Sequence, residues 1–551
     1  MENQIARKKH VFSVFLLLAI LLCILPSESF AKKQKKSKDK KAETPPPVQL
    51  DKTIGDLAEV VAFNPIPVKG IGLVVGLPNT GSSECPTDIR NYLRQYILTQ
   101  VGKKNPVNPD MMIDSKDTAV VIVEGFIPQG AAKRQAFDVV VKTLANTQTT
   151  SLAGGRLYTT DLKFVARIED VVQSSKTLAL AAGPVYTDNI SDPKPDPRGG
   201  IVLGGGRSMQ DYQITLALFK PDFQAIAIIR NRINQRFGKD VASATSPELI
   251  SLSVPGEFRD KKERFIELVK SLYVTAAAES EDAHTAWLIK NLQTATDKSK
   301  YQTALESVGR PAAEGLLPLL DSADDQTKFA AAKCLLVIGD YRALKTLRDY
   351  AQDAGSSFRI AAIQAIGDYA SINDVTALMG RLVKDENFDV RYNAYRYLQK
   401  HNDTSVIRTN ISEDFYIDQV IASAGAKTIY ISRSQQAGIV LFGAPVDCEK
   451  DIYVESDDGQ IIINSQPTED RISVMRKHPL TGELMGPLKC SLRVADIIKL
   501  LGDEPDPEDN KKRPGLGASY SDIVALLKKM VDKGAVKADF VAGPPSPVAR
   551  K

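Results

Sequence analysis

A repeat restricts the fold of this chain more than any other feature. Lys328–Asp340 (KFAAAKCLLVIGD), Phe358–Asp368 (FRIAAIQAIGD) and Val390–Lys400 (VRYNAYRYLQK) are similar segments with one apolar face. Val337-Ile338-Gly339-Asp340 returns 28 residues later as Ala365-Ile366-Gly367-Asp368, and Arg359 returns 32 residues later as Arg391. Each segment follows another apolar-faced helix, at Gly315–Leu320, Ala343–Tyr350 and Val375–Val383. Helix pairs with a period of roughly 30 residues predict an α-solenoid. A single pair cannot bury its own apolar face, whereas stacked pairs can. The solenoid is placed at residues 279–410, and its concave face reads equally as a partner site or as the side of a spacer.

The flanking regions, 51–278 and 411–543, change period. Thr118–Phe126 (TAVVIVEGF) and Phe137–Leu144 (FDVVVKTL) are β-branched runs bounded by turn residues, and Tyr212–Phe219 (YQITLALF) alternates as a half-buried strand does. Asp222 opens a helix with Phe223, Ile226, Ile229, Ile233 and Phe237 at near-helical spacing, stopped by Gly238. A second helix, Asp260–Leu272, places Phe265, Leu268 and Leu272 on one face. In the last region Thr428–Ser432 and Gly438–Phe442 form a hairpin around Arg433–Ala437, Gln460–Asn464 is a strand, and Leu492–Leu501 is a helix ended by Gly502. Ser519-x-x-Asp522 is a capping box before the apolar stripe of a further helix that stops at Gly534. The expected fold class is α+β, with β-rich mixed domains at both ends and an all-α solenoid between them. Residues 544–551 are expected to fray.

The first 31 residues read as an address. Arg7, Lys8 and Lys9 precede an apolar run from Val11 to Leu25, Pro26 breaks it, and Ser29-Phe30-Ala31 supplies small residues for cleavage after Ala31. An uncleaved anchor is the other reading, and Cys23 raises a lipoprotein that the bulky Leu22 opposes. Lys32–Lys41 and Pro45-Pro46-Pro47 make residues 32–50 an extended tether, either a solvated linker or a segment drawn to an anionic surface. Export permits disulfides. Cys448 and Cys490 flank one short β-rich region and are the candidate pair, the alternative being two buried thiols. Closing that loop contributes about 4 kcal/mol in the chain-entropy model. Cys334, in the helical stretch, is expected to stay free.

Charge excludes one class of function. The formal net charge is +4, of which residues 1–31 carry +1 and 32–47 carry +5, leaving −2 on the body. A near-neutral body argues against a nucleic-acid surface.

No reaction centre emerges. Gly70-x-Gly72-x-x-x-Gly76 fails as a dinucleotide fingerprint, because its spacing is off by one and Pro65 and Pro67 precede it; a turn-rich β segment accounts for the glycines. His284, His401 and His478 stand in separate contexts, and neither H-E-x-x-H nor G-x-S-x-G occurs. Asp457-Asp458-Gly459 reads as a turn between strands. No catalytic, cofactor or metal site is expected.

Thr53–Gly81 (TIGDLAEVVAFNPIPVKGIGLVVGLPNTG) resembles the opening of the bacterial flagellar P-ring protein family, with its Ile-x-Asp-Leu start and G-x-G-L-V-V-G-L-x-x-T-G run. Ala119–Pro128, Phe137–Thr143, Leu152-Ala153-Gly154-Gly155, Thr159–Leu162 and Ala179–Pro184 resemble successive blocks of that family, in order. Beyond the solenoid, Thr428–Phe442 is similar to its "strand, basic turn, Gly-aliphatic strand" hairpin, and residues 517–540 to its C-terminal helix and ending. Asp389-Val390-Arg391 with Ala394 and Leu398 resembles the second helix of a HEAT-like repeat. The resemblance implies a periplasmic, non-enzymatic subunit of the flagellar basal body. Copies of it would close into a homo-oligomeric ring around the rod as a bushing. Its implied partners are the rod, the L-ring protein, peptidoglycan and a periplasmic assembly chaperone, with no nucleic acid and no cofactor. Lys116 stands where P-ring proteins also place a lysine and is the candidate assembly contact, or else a solvated lysine at a strand entrance. The solenoid and the basic tether depart from the family pattern. They leave open a P-ring-like periplasmic scaffold whose solenoid binds another envelope protein, outside the flagellum.

Overall fold

The computed structural model describes residues 52–101, 108–168, 171–188, 190, 196–275, 278–421, 426–479, 481–505 and 514–550. The expected cleavage site at Ala31, the apolar run before it and the tether after it lie outside the described residues.

The described chain begins with β1 (Lys52–Thr53), α1 (Ile54–Leu57) and β2 (Ala58–Val61). Next come β3 (Ile66–Val75), α2 (Thr87–Val101), α3 (Pro109–Ile113), β4 (Ala119–Ile127), β5 (Ala136–Thr143), β6 (Arg156–Ile168), β7 (Val171–Pro184) and β8 (Gly199–Ser208). The chain then returns through β9 (Ile214–Leu218), α4 (Phe223–Phe237), β10 (Ala242–Ala244), β11 (Leu249–Leu252), α5 (Lys262–Ser271) and β12 (Tyr273–Val274). Strands β3 to β8 close into a barrel of order β3-β4-β5-β8-β7-β6, inserted between β2 and β9, which pair in the sheet β10-β11-β9-β2. The sheet and helices α4 and α5 share one core. β4 reads as an unbroken apolar run because both its faces are covered: Val121 and Val123 fill the barrel, while Val120 packs with Leu93, Ile97 and Ile113 of α2 and α3.

Closure of the barrel corrects the reading of the glycines. Gly70 and Gly72 lie inside β3, not in turns, and β6 crosses close beside them. A Cβ on Gly72 would stand 2.3 Å from Thr160 Oγ1, and one on Gly70 would stand 2.2 Å from the Asp161 carbonyl oxygen. Phe223 is a second correction. At the first turn of α4 it is 78% exposed, while Ile226, Ile229, Ile233 and Phe237 are buried as expected.

The helical region contains α6 (Ala278–Thr294), α7 (Ser299–Val308), α8 (Ala313–Leu316), α9 (Asp325–Val337), α10 (Leu344–Gln352), α11 (Arg359–Tyr369), α12 (Ile372–Leu382) and α13 (Phe388–Lys400). Pro318 breaks the helix expected at Gly315–Leu320 into α8 and a 3₁₀ turn, Leu317–Asp321. Asp324 and Asn387 cap α9 and α13. Phe329 stacks on Phe358 of the next repeat at 4.7 Å, so neighbouring pairs share one core.

The last region holds β13 (Val406–Ile411), β14 (Phe415–Ile421), β15 (Thr428–Ile431), β16 (Gly438–Ala444), β17 (Tyr453–Glu455), β18 (Ile461–Ser465), β19 (Arg471–Lys477), β20 (Leu484–Ser491), α14 (Val494–Gly502), α15 (Tyr520–Asp532) and β21 (Asp539–Ala542). β13 begins before the expected boundary at 410, directly off α13. The sheet β13-β14-β16-β15-β21 is mixed, and β17-β18-β19-β20 is antiparallel. Val440 and Phe442 face α13, whereas Ile439 and Leu441 face α14 and α15. The helical repeats thus supply one layer of an α/β/α sandwich. The capping box at Ser519 and Asp522 forms as expected.

Candidate assembly surfaces

Distant parts of the chain meet in a set of buried contacts. Its centre is Asp138. Alternation along β5 sends Phe137 and Val139 into the barrel and Asp138 outward, where it is 6% exposed. Its carboxylate accepts from the Gly204 amide (2.7 Å), the Gln435 amide (2.9 Å) and the Ser546 hydroxyl (2.6 Å). Barrel strand β8, the β15–β16 hairpin and the C-terminal tail therefore meet on one buried anion, which three donors satisfy. Gly204 sits at φ +60°, and a Cβ there would stand 2.1 Å from the Gln435 carbonyl oxygen.

This corrects the expectation of a frayed tail. Gly543 receives Arg433 Nε at 2.6 Å, Ser546 is fully buried, and Val548 lies against a groove on the barrel wall beside Lys69, Phe126 and Val165. Ser546 and Val548 look unstructured in sequence because their partners are hundreds of positions away.

Four further contacts complete the junction. Arg433 pairs with Asp188 at 3.2 Å, Arg156 with Asp414 at 2.5 Å, Ser521 Oγ accepts from the Thr187 amide at 3.1 Å, and Tyr186 packs on Tyr520 at 5.6 Å. Burial, first, holds both tyrosine hydroxyls well above their ordinary pKa. The sequence signal for these residues was faint: an acid inside the apolar run FDVVVKT, and one arginine in a polar turn.

The solenoid is joined at both ends. On α13, Arg391 is 2% exposed and donates to the carbonyls of Asp385 (3.0 Å) and Glu386 (2.8 Å) and to Thr428 Oγ1 (3.0 Å). Tyr395 donates to the fully buried Asp418 at 2.6 Å, and Arg408 grips the same carboxylate at 2.8 and 2.7 Å. At the other end Tyr273, His284, Trp287 and Tyr301 form an aromatic row that continues from β12 into α6 and α7.

Open surfaces remain. β13 and β21 are the two edges of one sheet, and β2 and β10 the edges of another. Ile407 is an exposed apolar side chain on edge strand β13. Lys116 lies in the loop between α3 and β4; its carbonyl accepts from the Gly81 amide at 2.8 Å and its side chain is exposed. Cys448 and Cys490 are free thiols near enough for the Cys490 charge to raise the Cys448 pKa; burial is the larger cause, and each is pushed up to about 12. Cys334 is a free thiol buried among the repeats. His284 stacks on Tyr273, His401 ends α13, and His478 accepts from the Thr481 amide in a turn, three unconnected settings.

The described residues thus form an α/β unit, a barrel and a sandwich, joined by hydrogen bonds and ion pairs between distant parts of the chain. Residues 53–283 match the family model described as the flagellar P-ring protein, and residues 313–399 match that for HEAT repeats. Flagellar P-ring proteins are among the curated relatives. That of Hydrogenovibrio crunogenus is 29% identical over 242 residues, 42% of this chain and 64% of the relative. That of Geotalea uraniireducens is 28% identical over 288 residues, 50% of this chain and 67% of the relative. That of Thermotoga petrophila is 31% identical over 220 residues, 37% of this chain and 61% of the relative. The chain thus spans 64% of the first relative's length. The part that is similar to flagellar P-ring proteins is the α/β unit and the barrel, and the part similar to HEAT repeats follows it.

Proposed function

We propose that this chain is a structural subunit of the flagellar basal-body P ring, exported to the periplasm after cleavage at Ala31 and assembling in many copies around the rod as a bushing. The observation that carries the reading is the P-ring match across the whole α/β unit and barrel, residues 53–283. The C-terminal sandwich belongs to the same building block, being clamped to the barrel through Asp138. A ring requires a heterologous interface repeated by a closing rotation. β13 and β21, the two edge strands of one sheet, are the strands proposed to meet in such an interface. Its partners on this reading are its own copies, the rod, the L-ring protein, peptidoglycan and an assembly chaperone, and it performs no catalysis. Lys116 is the proposed charged assembly contact, and Cys448–Cys490 the proposed disulfide after export.

The test is made in the source bacterium. Deleting the gene abolishes swimming and leaves basal bodies without the ring at the peptidoglycan level; a tag in the solenoid labels that ring in electron micrographs of isolated basal bodies. Complete rings in the deletion strain, or a tag found elsewhere in the envelope, would overturn the reading. Lys116→Glu lowers ring yield while leaving the monomer folded; unchanged swimming and unchanged ring sedimentation remove Lys116 from the interface.

A further inference from the structure

Helix α5 is a corner at which three parts of the molecule meet. Lys262, 8% exposed, points to the barrel and donates from Nζ to the Gly130 carbonyl (2.6 Å) and to Gln135 Oε1 (2.9 Å). Its neighbours point to the repeats. Arg264 pairs with Glu306 of α7, whose carboxylate is fully buried and also receives Gln302 Nε2 at 2.7 Å. Arg236 of α4 reinforces that contact, donating to the carbonyls of Glu306 (2.8 Å) and Ser307 (3.0 Å). Further along the repeats Lys261 pairs with Asp368 at the end of α11, and its ammonium lies 4.6 Å from the Tyr369 ring centroid.

Asp368 passes the contact on. It also accepts the Tyr397 hydroxyl of α13 at 3.0 Å. Two residues earlier on α13, Tyr395 is bonded to Asp418 of the five-stranded sheet. That sheet is fixed to the barrel through the Gln435 amide and Asp138. The contacts therefore close a circuit: barrel, α5, repeats, sheet, barrel.

We infer that the HEAT repeats are a strut that closes this circuit and fixes the five-stranded sheet relative to the barrel, with Asp368 as the joint between α5 and α13. A spacer or a detachable recruitment module would be joined by exposed, polar connections. Here both ends are held by carboxylates, Glu306 and Asp418, that are wholly out of water. Separating the first end would leave the buried Glu306 carboxylate without Arg264, and separating the second would take the Tyr395 hydroxyl from Asp418 and leave that buried carboxylate to Arg408 alone. Without the strut, the sheet and barrel would be joined on one side only, and a one-sided junction can hinge. The inference goes beyond the flagellar reading and is tested on the purified protein, so either can fail without the other.

The experiment is hydrogen exchange followed by mass spectrometry on residues 32–551, comparing wild type, the double variant K261A/R264A and the exposed control K345A. The strut predicts that protection in β14 and β16, which neither replaced side chain touches, falls about tenfold in the double variant and is unchanged in the control. Changes confined to α5, α7 and α11, with β14 and β16 as in wild type, would overturn it. Should the double variant not fold, Tyr397→Phe removes only the hydroxyl joining α13 to Asp368, and it is read by the same two outcomes.

Discussion

Asp138 of the barrel accepts the Ser546 hydroxyl at 2.6 Å across a sequence separation of 408 residues. The bond makes the C-terminal tail a strap over the barrel wall, and it shares its acceptor with the β15–β16 hairpin.

Ser546→Ala removes one of the donors of a buried carboxylate and is expected to lower stability by about 2 kcal/mol, the ordinary scale for a hydrogen bond to a charge. Gly204→Ala places a side chain at φ +60° and against the Gln435 carbonyl, and costs more than the roughly 1 kcal/mol of an unfavourable backbone alone. Because both variants act through Asp138, their effects do not add. Urea midpoints of the two singles and the double measure this; an unchanged Ser546→Ala midpoint means that the strap is not docked in solution.

Phe442 is fully buried where the repeats meet the sheet, edge-on to Phe388 and Tyr395 at 5.5 Å each. Phe442→Ala is expected to destabilise the protein by about 3–5 kcal/mol. A single unfolding transition at lower temperature is the expected trace. A second transition, with the repeats melting alone at the wild-type temperature, would contradict a shared core.

The thiols separate by burial. With Cys448 and Cys490 pushed up to about 12 from an ordinary 9, their thiolate fraction at pH 8 falls by about a thousandfold. Cys85, only half-buried, is also raised but reacts first. Timed alkylation at pH 8 of protein lacking residues 1–31 gives Cys85 labelled ahead of the pair, with the pair accelerating as pH rises. Oxidised glutathione is expected to link Cys448 to Cys490; recovery of both as free thiols from exported protein removes the proposed disulfide.

Asp324 caps α9, and the Thr327 hydroxyl bond is the first cause that holds its carboxyl below the ordinary 3.8. A depressed folded value stabilises above the unfolded pKa, and that contribution is lost as pH falls through the folded one. Asp324→Ala is therefore expected to cost about 1 kcal/mol at pH 7 and to match wild type in acid well below the ordinary value. A difference that persists undiminished into that range would exclude the carboxylate as its source.

Local pattern made much of the fold legible. The HEAT pairs are visible because a helical period recurs with a near-constant offset, the Thr428–Phe442 hairpin because two apolar runs flank a polar turn, and the last helix because Ser519 and Asp522 stand three apart. The barrel was not legible. Runs such as Ala119–Phe126 look the same in an open sheet, and closure depends on β3 meeting β6, far along the chain. Nor were the clamps, since an aspartate in FDVVVKT or a lysine pair at the start of α5 carries no mark of the surface it will meet.

By itself, then, the sequence determined element type, the repeat and the order of the family's blocks, because these rest on interactions within a few turns or one hairpin. Only the tertiary structure decided that the tail docks, that the helical region forms a layer of the sandwich, and that Lys261, Lys262 and Arg264 divide between two partners. Those outcomes depend on which surfaces come together, and a buried charge finds its partner by proximity in space, not by spacing along the chain.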